Sequence, residues 1–171
     1  LAVKNPDYFN NWVNNLEGVA KTKISDYQSF IKALQLRHDY FNQIGCRISD
    51  HGLKYPVAED FQPEEIDKIF LQIREGRPLL KQQELRLKTT LMIEFGKIDA
   101  KKNWTMQLHL GAIRNTNSRS YKDLGPDSGF YSIGDYPIAK SLSKFLDMLD
   151  RDHNLPKMII YSVNPNHYEV I

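Results

Sequence analysis

The sequence predicts an α/β fold, with three parallel strands and surrounding helices forming part of a larger barrel. Three observations carry this expectation. First, helices and strands follow one another as helix, strand, two helices, strand, helix, strand, after a short opening helix, and strands separated by helices call for parallel pairing with right-handed crossovers. Second, the stretch Trp104–Leu110 alternates strictly, with Met106, Leu108 and Leu110 on one face and Thr105, Gln107 and His109 on the other. Third, three such strands cannot close a barrel, and as an isolated sheet they would leave two bare edges, which natural proteins avoid. The chain starts at Leu1 and ends at Ile171 without the look of natural termini. It therefore reads as the middle of something longer.

Each element has its own signal. Asn5-Pro6-Asp7 places a cap before a proline at the first helical position; Tyr8, Phe9, Trp12 and Leu16 follow at helical spacing, and Gly18 is expected to end that helix. Ser25 to Gln28 reads as a capping box opening a long helix, whose stripe is Tyr27, Phe30, Ile31, Leu34, Phe41 and Ile44 and whose stop is Gly45. Residues 46–50 form the first strand, with small Cys46 packed at its base, Asp50 at its carboxyl end, and His51-Gly52 turning the chain away. Pro63 opens a helix carrying Ile66, Ile69, Phe70 and Ile73, ended by Gly76 and Pro78. Lys81 to about Lys102 is another long helix, and its interior Gly96 implies close packing, since glycine there costs ~1 kcal/mol against alanine. The central strand spans 104–110.

After it, residues 111–134 form a long loop rich in Gly, Asn, Ser and Asp, of the kind usually reserved for lids and binding loops. Asp135 is expected to cap the last helix, whose buried side is Ile138, Leu142, Phe145, Leu146 and Leu149. Residues 157–163 are apolar enough for a buried strand, ended by Asn164-Pro165.

Composition excludes several classes. The net charge is +2 and the basic residues are scattered, so no nucleic-acid stripe exists. No run is long enough to span a membrane. The lone Cys46 cannot form an internal disulfide, and no signal peptide precedes the first helix, so a reducing, cytoplasmic setting is expected.

In parallel α/β sheets, ligands bind beyond the carboxyl ends of the strands. That rule draws attention to His109, to Asp50, and to Arg114 and Asn115 in the following loop. Each also has a plain structural reading: a histidine satisfied by backbone, an aspartate capping a turn. His51 should point away from Asp50 and serve structure. His38 and His153 are expected to be solvated, His167 could line the site, and Arg119 and Lys122 could simply keep the loop soluble.

Four stretches then carry a resemblance: Gly45-Cys46-Arg47-Ile48-Ser49-Asp50-His51-Gly52-Leu53, Met106-Gln107-Leu108-His109-Leu110-Gly111-Ala112, Leu124-Gly125-Pro126-Asp127-Ser128-Gly129, and Leu155-Pro156-Lys157 with Tyr161 and Asn164-Pro165. In this order they resemble the uronate (glucuronate) isomerases of the amidohydrolase superfamily, over the whole chain but only the middle of the family's usual length. The resemblance implies an incomplete (β/α)8 TIM-barrel segment and an aldose–ketose isomerisation, glucuronate to fructuronate and galacturonate to tagaturonate. It implies catalytic roles for His109 and Asp50, with Arg114 and Asn115 placed to reach the uronate. The family's divalent metal, zinc or manganese, is held by a His-x-His pair and an aspartate of other strands. Neither is in this chain, which is expected to be inactive alone.

The partners implied are a uronic-acid substrate and the remainder of the barrel, with homo-oligomerisation left open. The chemistry suits the residue types. Isomerising an open-chain uronate moves a proton between adjacent carbons through an enediol(ate). An imidazole can exchange protons near neutral pH, and a guanidinium matches a carboxylate in a two-pronged fashion. The alternatives are a non-catalytic sugar-acid-binding or assembly domain, and a hydrolase of the same superfamily.

Overall fold

The computed structural model describes residues 3–171. Helix α1 (Pro6–Ala20), α2 (Tyr27–Gln43), α3 (Pro63–Arg74) and α4 (Lys81–Lys101) pack around Phe9, Phe30 and Phe70. Phe30 and Phe70 stack with ring centroids 5.2 Å apart, and Phe9 meets each edge-on. A second core lies between α4, helix α6 (Ala139–Asp150) and a three-stranded parallel sheet. The sheet order is β1 (Ile48–Leu53), β2 (Thr105–Leu110), β5 (Lys157–Ser162), with β2 central. Met106, Leu108 and Leu110 of β2 are 0, 0 and 1% exposed, so the alternation read from the sequence is the one that folds. Gly96 sits where α4 meets α6: a Cβ there would lie 2.8 Å from Leu149 Cδ2.

Several expected boundaries move, each for a local reason. Helix α1 runs past Gly18 and is closed by Lys21, whose left-handed backbone (φ 50°) lets its N–H reach the Glu17 carbonyl. The capping box of α2 is Asp26 with Ser29, one residue later than expected, because Asp26 accepts from the Ser29 N–H while the Ser29 hydroxyl accepts from the Asp26 N–H. The last turn of α2 overshoots its core, which leaves Phe41 and Ile44 exposed. Strand β1 is not 46–50. The ladder with β2 pairs Ile48 with Thr105 through Leu53 with Leu110, so His51 and Gly52 lie inside the strand, and the exposed Cys46 lies before it.

The stretch 111–134 is not structureless. Strands β3 (Ala112–Ile113) and β4 (Ser132–Ile133) pair antiparallel across it, with helix α5 (Ser118–Leu124) between them. Asp135 does not cap α6; Ile138 stands at that position, with no side-chain cap. Strand β5 is covered on one face only, with Ile159 and Tyr161 exposed, so it is not the fully buried strand its apolar run suggests.

A polar brace fixes the phase of β1. Asp99 of α4 is 2% exposed; its carboxylate accepts a 2.5 Å hydrogen bond from the Ser49 hydroxyl and lies 3.0 Å from His38 Nε2. His38 is therefore not solvated: its ring lies 3.9 Å from that of Trp104, whose indole N–H donates to Asn42. His51 Nε2 is 3.2 Å from Ser49 Oγ, and its ring stacks on Phe95. With Ser49 and His51 tied to the helices, Asp50 must face the other way.

Two measurements check the brace. Asp99→Ala strands the Ser49 hydroxyl and His38 in a mostly buried place, and should lower unfolding stability by about 3 kcal/mol in urea titration. Burial holds the His51 imidazole below its ordinary 6.5, against the smaller opposing pull of Asp99 and Asp50. Its neutral form is thus favoured by folding. That contribution is full above pH 6.5 and declines as the pH falls through the lowered folded value. Between pH 7.5 and 5.5, His51→Gln should therefore lose less stability than the unmodified chain.

Candidate functional site

His109 stands near the carboxyl end of β2, on the sheet face turned away from the helices, and is exposed. In register, Asp50 of β1 is opposite Gln107, so Asp50 and His109 are diagonal neighbours on one face. Asp50 Oδ1 lies 3.5 Å from His109 Nε2. The sequence placed Asp50 at a strand end. It lies mid-strand instead, yet the ladder still brings the two side chains together. His51, one residue on, points to the opposite face, among the brace residues.

Tyr161 of β5 is directly opposite His109 and meets the imidazole edge-on at 4.6 Å, while its hydroxyl donates to Gln107 Oε1 at 2.9 Å. On the other side His109 is opposite Gly52, which has no side chain to crowd it. Arg114 occupies that gap: its Nη2 lies 3.3 Å from where a Cβ of residue 52 would stand. A cavity of about 350 Å³ opens here, walled by Gly52, Lys54, His109, Arg114, Tyr131 and Tyr161 among others.

Arg114 is held from the far side of the long loop. Its Nη1 lies 3.1 Å from Asp127 Oδ1 and 3.3 Å from the Tyr131 hydroxyl. The Tyr131 hydroxyl donates to the same carboxylate oxygen at 2.6 Å, and that bond holds the phenol above its ordinary value of 10.0. Asn115 takes a left-handed turn (φ 59°) and is not among the residues walling the cavity. His167 is buried and tied to Ser162 Oγ (2.8 Å) and the Tyr136 carbonyl (3.0 Å). Asn164 is buried too and donates to the Gly134 carbonyl. His153 is exposed at a left-handed turn, and Arg119 and Lys122 are exposed on α5.

Four neighbours of the candidate site carry no site role in the sequence reading: Gln107, Tyr161, Asp127 and Tyr131. Gln107 shares the His109 face by simple alternation, so it was available. Tyr161 needed the β2–β5 register, and Asp127 and Tyr131 needed the β3–β4 pairing.

His109 and Arg114 wall this opening, and the Asp50 carboxylate reaches it only through His109; an imidazole so placed can exchange protons with hydroxyl or carbonyl oxygens, and a guanidinium can hold an anion. Among the described residues no three His, Cys, Asp or Glu side chains gather as a metal site. Asp50 and His109 are two donors, too few for the three or four protein ligands such an ion takes.

A uronate isomerase of Bacteroides fragilis is 46% identical over all 171 residues, and one of Opitutus terrae is 46% identical over 165 residues, 96% of this chain. A solved uronate isomerase from Thermotoga maritima superposes with a TM-score of 0.85 at 29% identity, covering 92% of this chain and 35% of its own. A glucuronate isomerase structure from Caulobacter crescentus gives 0.79 at 23% identity over 91% of this chain and 32% of its own, a likeness of fold. The chain spans 36% of the length of the Bacteroides fragilis relative. Its three parallel strands and flanking helices are an incomplete segment of the (β/α)8 barrel. The family model described as glucuronate isomerase matches residues 1–171 from end to end, and the chain belongs to that family.

Proposed function

We propose that residues 1–171 form the middle of a uronate isomerase barrel and supply His109 and Asp50 to a site that interconverts aldose and ketose uronates, glucuronate with fructuronate and galacturonate with tagaturonate. The observation that carries this reading is the 3.5 Å approach of Asp50 to His109 on the face turned away from the helices, in a chain matched by the family along its whole length. In the reaction a proton leaves the hydroxyl-bearing carbon beside the carbonyl and one is returned to the former carbonyl carbon, through an enediol(ate).

In this reading His109 exchanges a proton with the substrate oxygens as charge moves between them. Asp50 holds the imidazole in orientation and stabilises it when protonated. Tyr161, edge-on to the ring, limits its rotation. Arg114 receives the uronate carboxylate; Asn115, which does not wall the cavity, would reach the sugar only if its turn moved toward it. A zinc or manganese ion serving the whole enzyme would take its ligands from other strands of the barrel. The substrate is then a uronic acid and the structural partner is the remainder of the barrel. The single cysteine, which can form no internal disulfide, supports a reducing, cytoplasmic setting.

Turnover and circular dichroism of single variants in a full-length enzyme carrying this segment test the assignment. His109→Asn and Asp50→Asn should each lower turnover about a hundredfold or more with the fold intact, whereas His51→Asn should keep most of it. Full activity in His109→Asn, or a dead but folded His51→Asn, would refute the assignment. The 171-residue chain by itself should convert no glucuronate; measurable conversion would mean that the chemistry needs nothing beyond this segment.

A further inference from the structure

We propose that Asp127 and Tyr131 are positioning residues that hold the Arg114 guanidinium extended over the cavity mouth, and so set the preference for a sugar bearing a carboxylate over a neutral one. This rests on the reading of Arg114 as the carboxylate-binding group.

The geometry begins with the backbone. The β3–β4 ladder pairs Ala112 with Ile133 and Ile113 with Ser132, which brings Arg114 and Tyr131 side by side just beyond it. The Thr116 N–H then donates to the Phe130 carbonyl at 2.8 Å and closes the two strands of chain together. Between them the chain turns back through Gly125, Asp127 and Gly129, all with left-handed φ (80°, 60° and 88°). That turn delivers the Asp127 carboxylate to Arg114 from across the loop.

The contacts are one-sided. Asp127 Oδ1 and the Tyr131 hydroxyl both engage Nη1, and the Tyr131 ring lies under the guanidinium with its centroid 5.1 Å from Cζ. Nη2 has no hydrogen-bond partner among the described residues and is directed toward Gly52, beside His109. An arginine presents five N–H donors in a fixed planar fork, so clamping one corner orients the rest. The free edge is the one that faces the cavity, where a carboxylate can take two parallel N–H bonds.

An exposed ion pair of this kind contributes little to folding stability. What it removes is the freedom of a long side chain, which an incoming anion would otherwise have to quench on binding. The effect therefore belongs in substrate affinity and selectivity, not in stability and not in the proton-transfer step.

The test measures KM, kcat and melting temperature in a full-length enzyme carrying this segment, with glucuronate and with glucose as the neutral comparison. Asp127→Ala should raise KM for glucuronate about tenfold, leave kcat within about threefold and leave the melting temperature unchanged. The ratio of kcat/KM for glucuronate over glucose should fall by a similar factor. Asp127→Asn keeps an acceptor oxygen in the same place and should recover most of the lost affinity. Tyr131→Phe keeps the ring but not the hydroxyl and should fall between; it decides the matter if Asp127→Ala does not fold.

Arg114→Met separates the two levels of inference. If it raises KM and neither Asp127→Ala nor Tyr131→Phe does, the positioning role is wrong and the carboxylate role of Arg114 stands. If Arg114→Met leaves KM unchanged, the carboxylate role fails and the positioning role with it. A loss in Asp127→Ala confined to kcat also overturns the proposal.

Discussion

The strict two-residue alternation of β2 is the constraint on which the rest of this structure depends. Met106, Leu108 and Leu110 are fully removed from solvent against α4 and α6, a gain of about 2 kcal/mol for each side chain. A slip of one residue would expose all three and drive Gln107 and His109 into that apolar layer, at a cost of several kcal/mol. Burial of one face thus fixes where the imidazole on the other face points. The chemistry of the site is positioned by residues that take no part in it.

The two elements that complete the site are held by different physics. Strand β1 is set by a buried polar brace: Asp99 reaches from α4 to Ser49 and His38, and the tilted contact of the His38 ring with Trp104 closes it. Such a brace tolerates no half measures, because every buried partner left alone loses its hydrogen bond without regaining water. The loop after β2 is instead built in the open, from a two-residue ladder, a short helix and an exposed ion pair. It orients a side chain without adding much to stability. A rigid strand carrying the Asp50–His109 pair and a lightly held loop carrying Arg114 suit the proposed site, which substrate must enter and product must leave.

Much of the fold was legible in the sequence because apolar periodicity is a local signal. The three parallel strands, the core stripe of α3, the span of α4 and the packing at Gly96 all follow from residues within a few turns of each other. The errors arose where a distant partner decides. The ladder with β2 carries β1 through His51-Gly52, a pair that reads locally as a turn. The brace to Asp99, 61 residues away, takes His38 out of solvent. The pairing of residues 112–113 with 132–133 organises a loop whose composition suggests none. The same holds for the candidate site: strand ends and residue chemistry pointed to His109, Asp50 and Arg114 as candidates. The contacts that Tyr161, Asp127 and Tyr131 make with them became visible only once the registers were known.

In the proposed site Asp50 and His109 work as one unit across neighbouring strands. A double-mutant cycle tests it most directly, with turnover of glucuronate measured for Asp50→Asn, His109→Asn and the two combined in a full-length enzyme carrying this segment. If they form one unit, the double variant should be no slower than the slower single one. Losses that multiply, so that the double variant falls by the product of the two single effects, would show that the residues act independently and that the 3.5 Å approach has no part in catalysis.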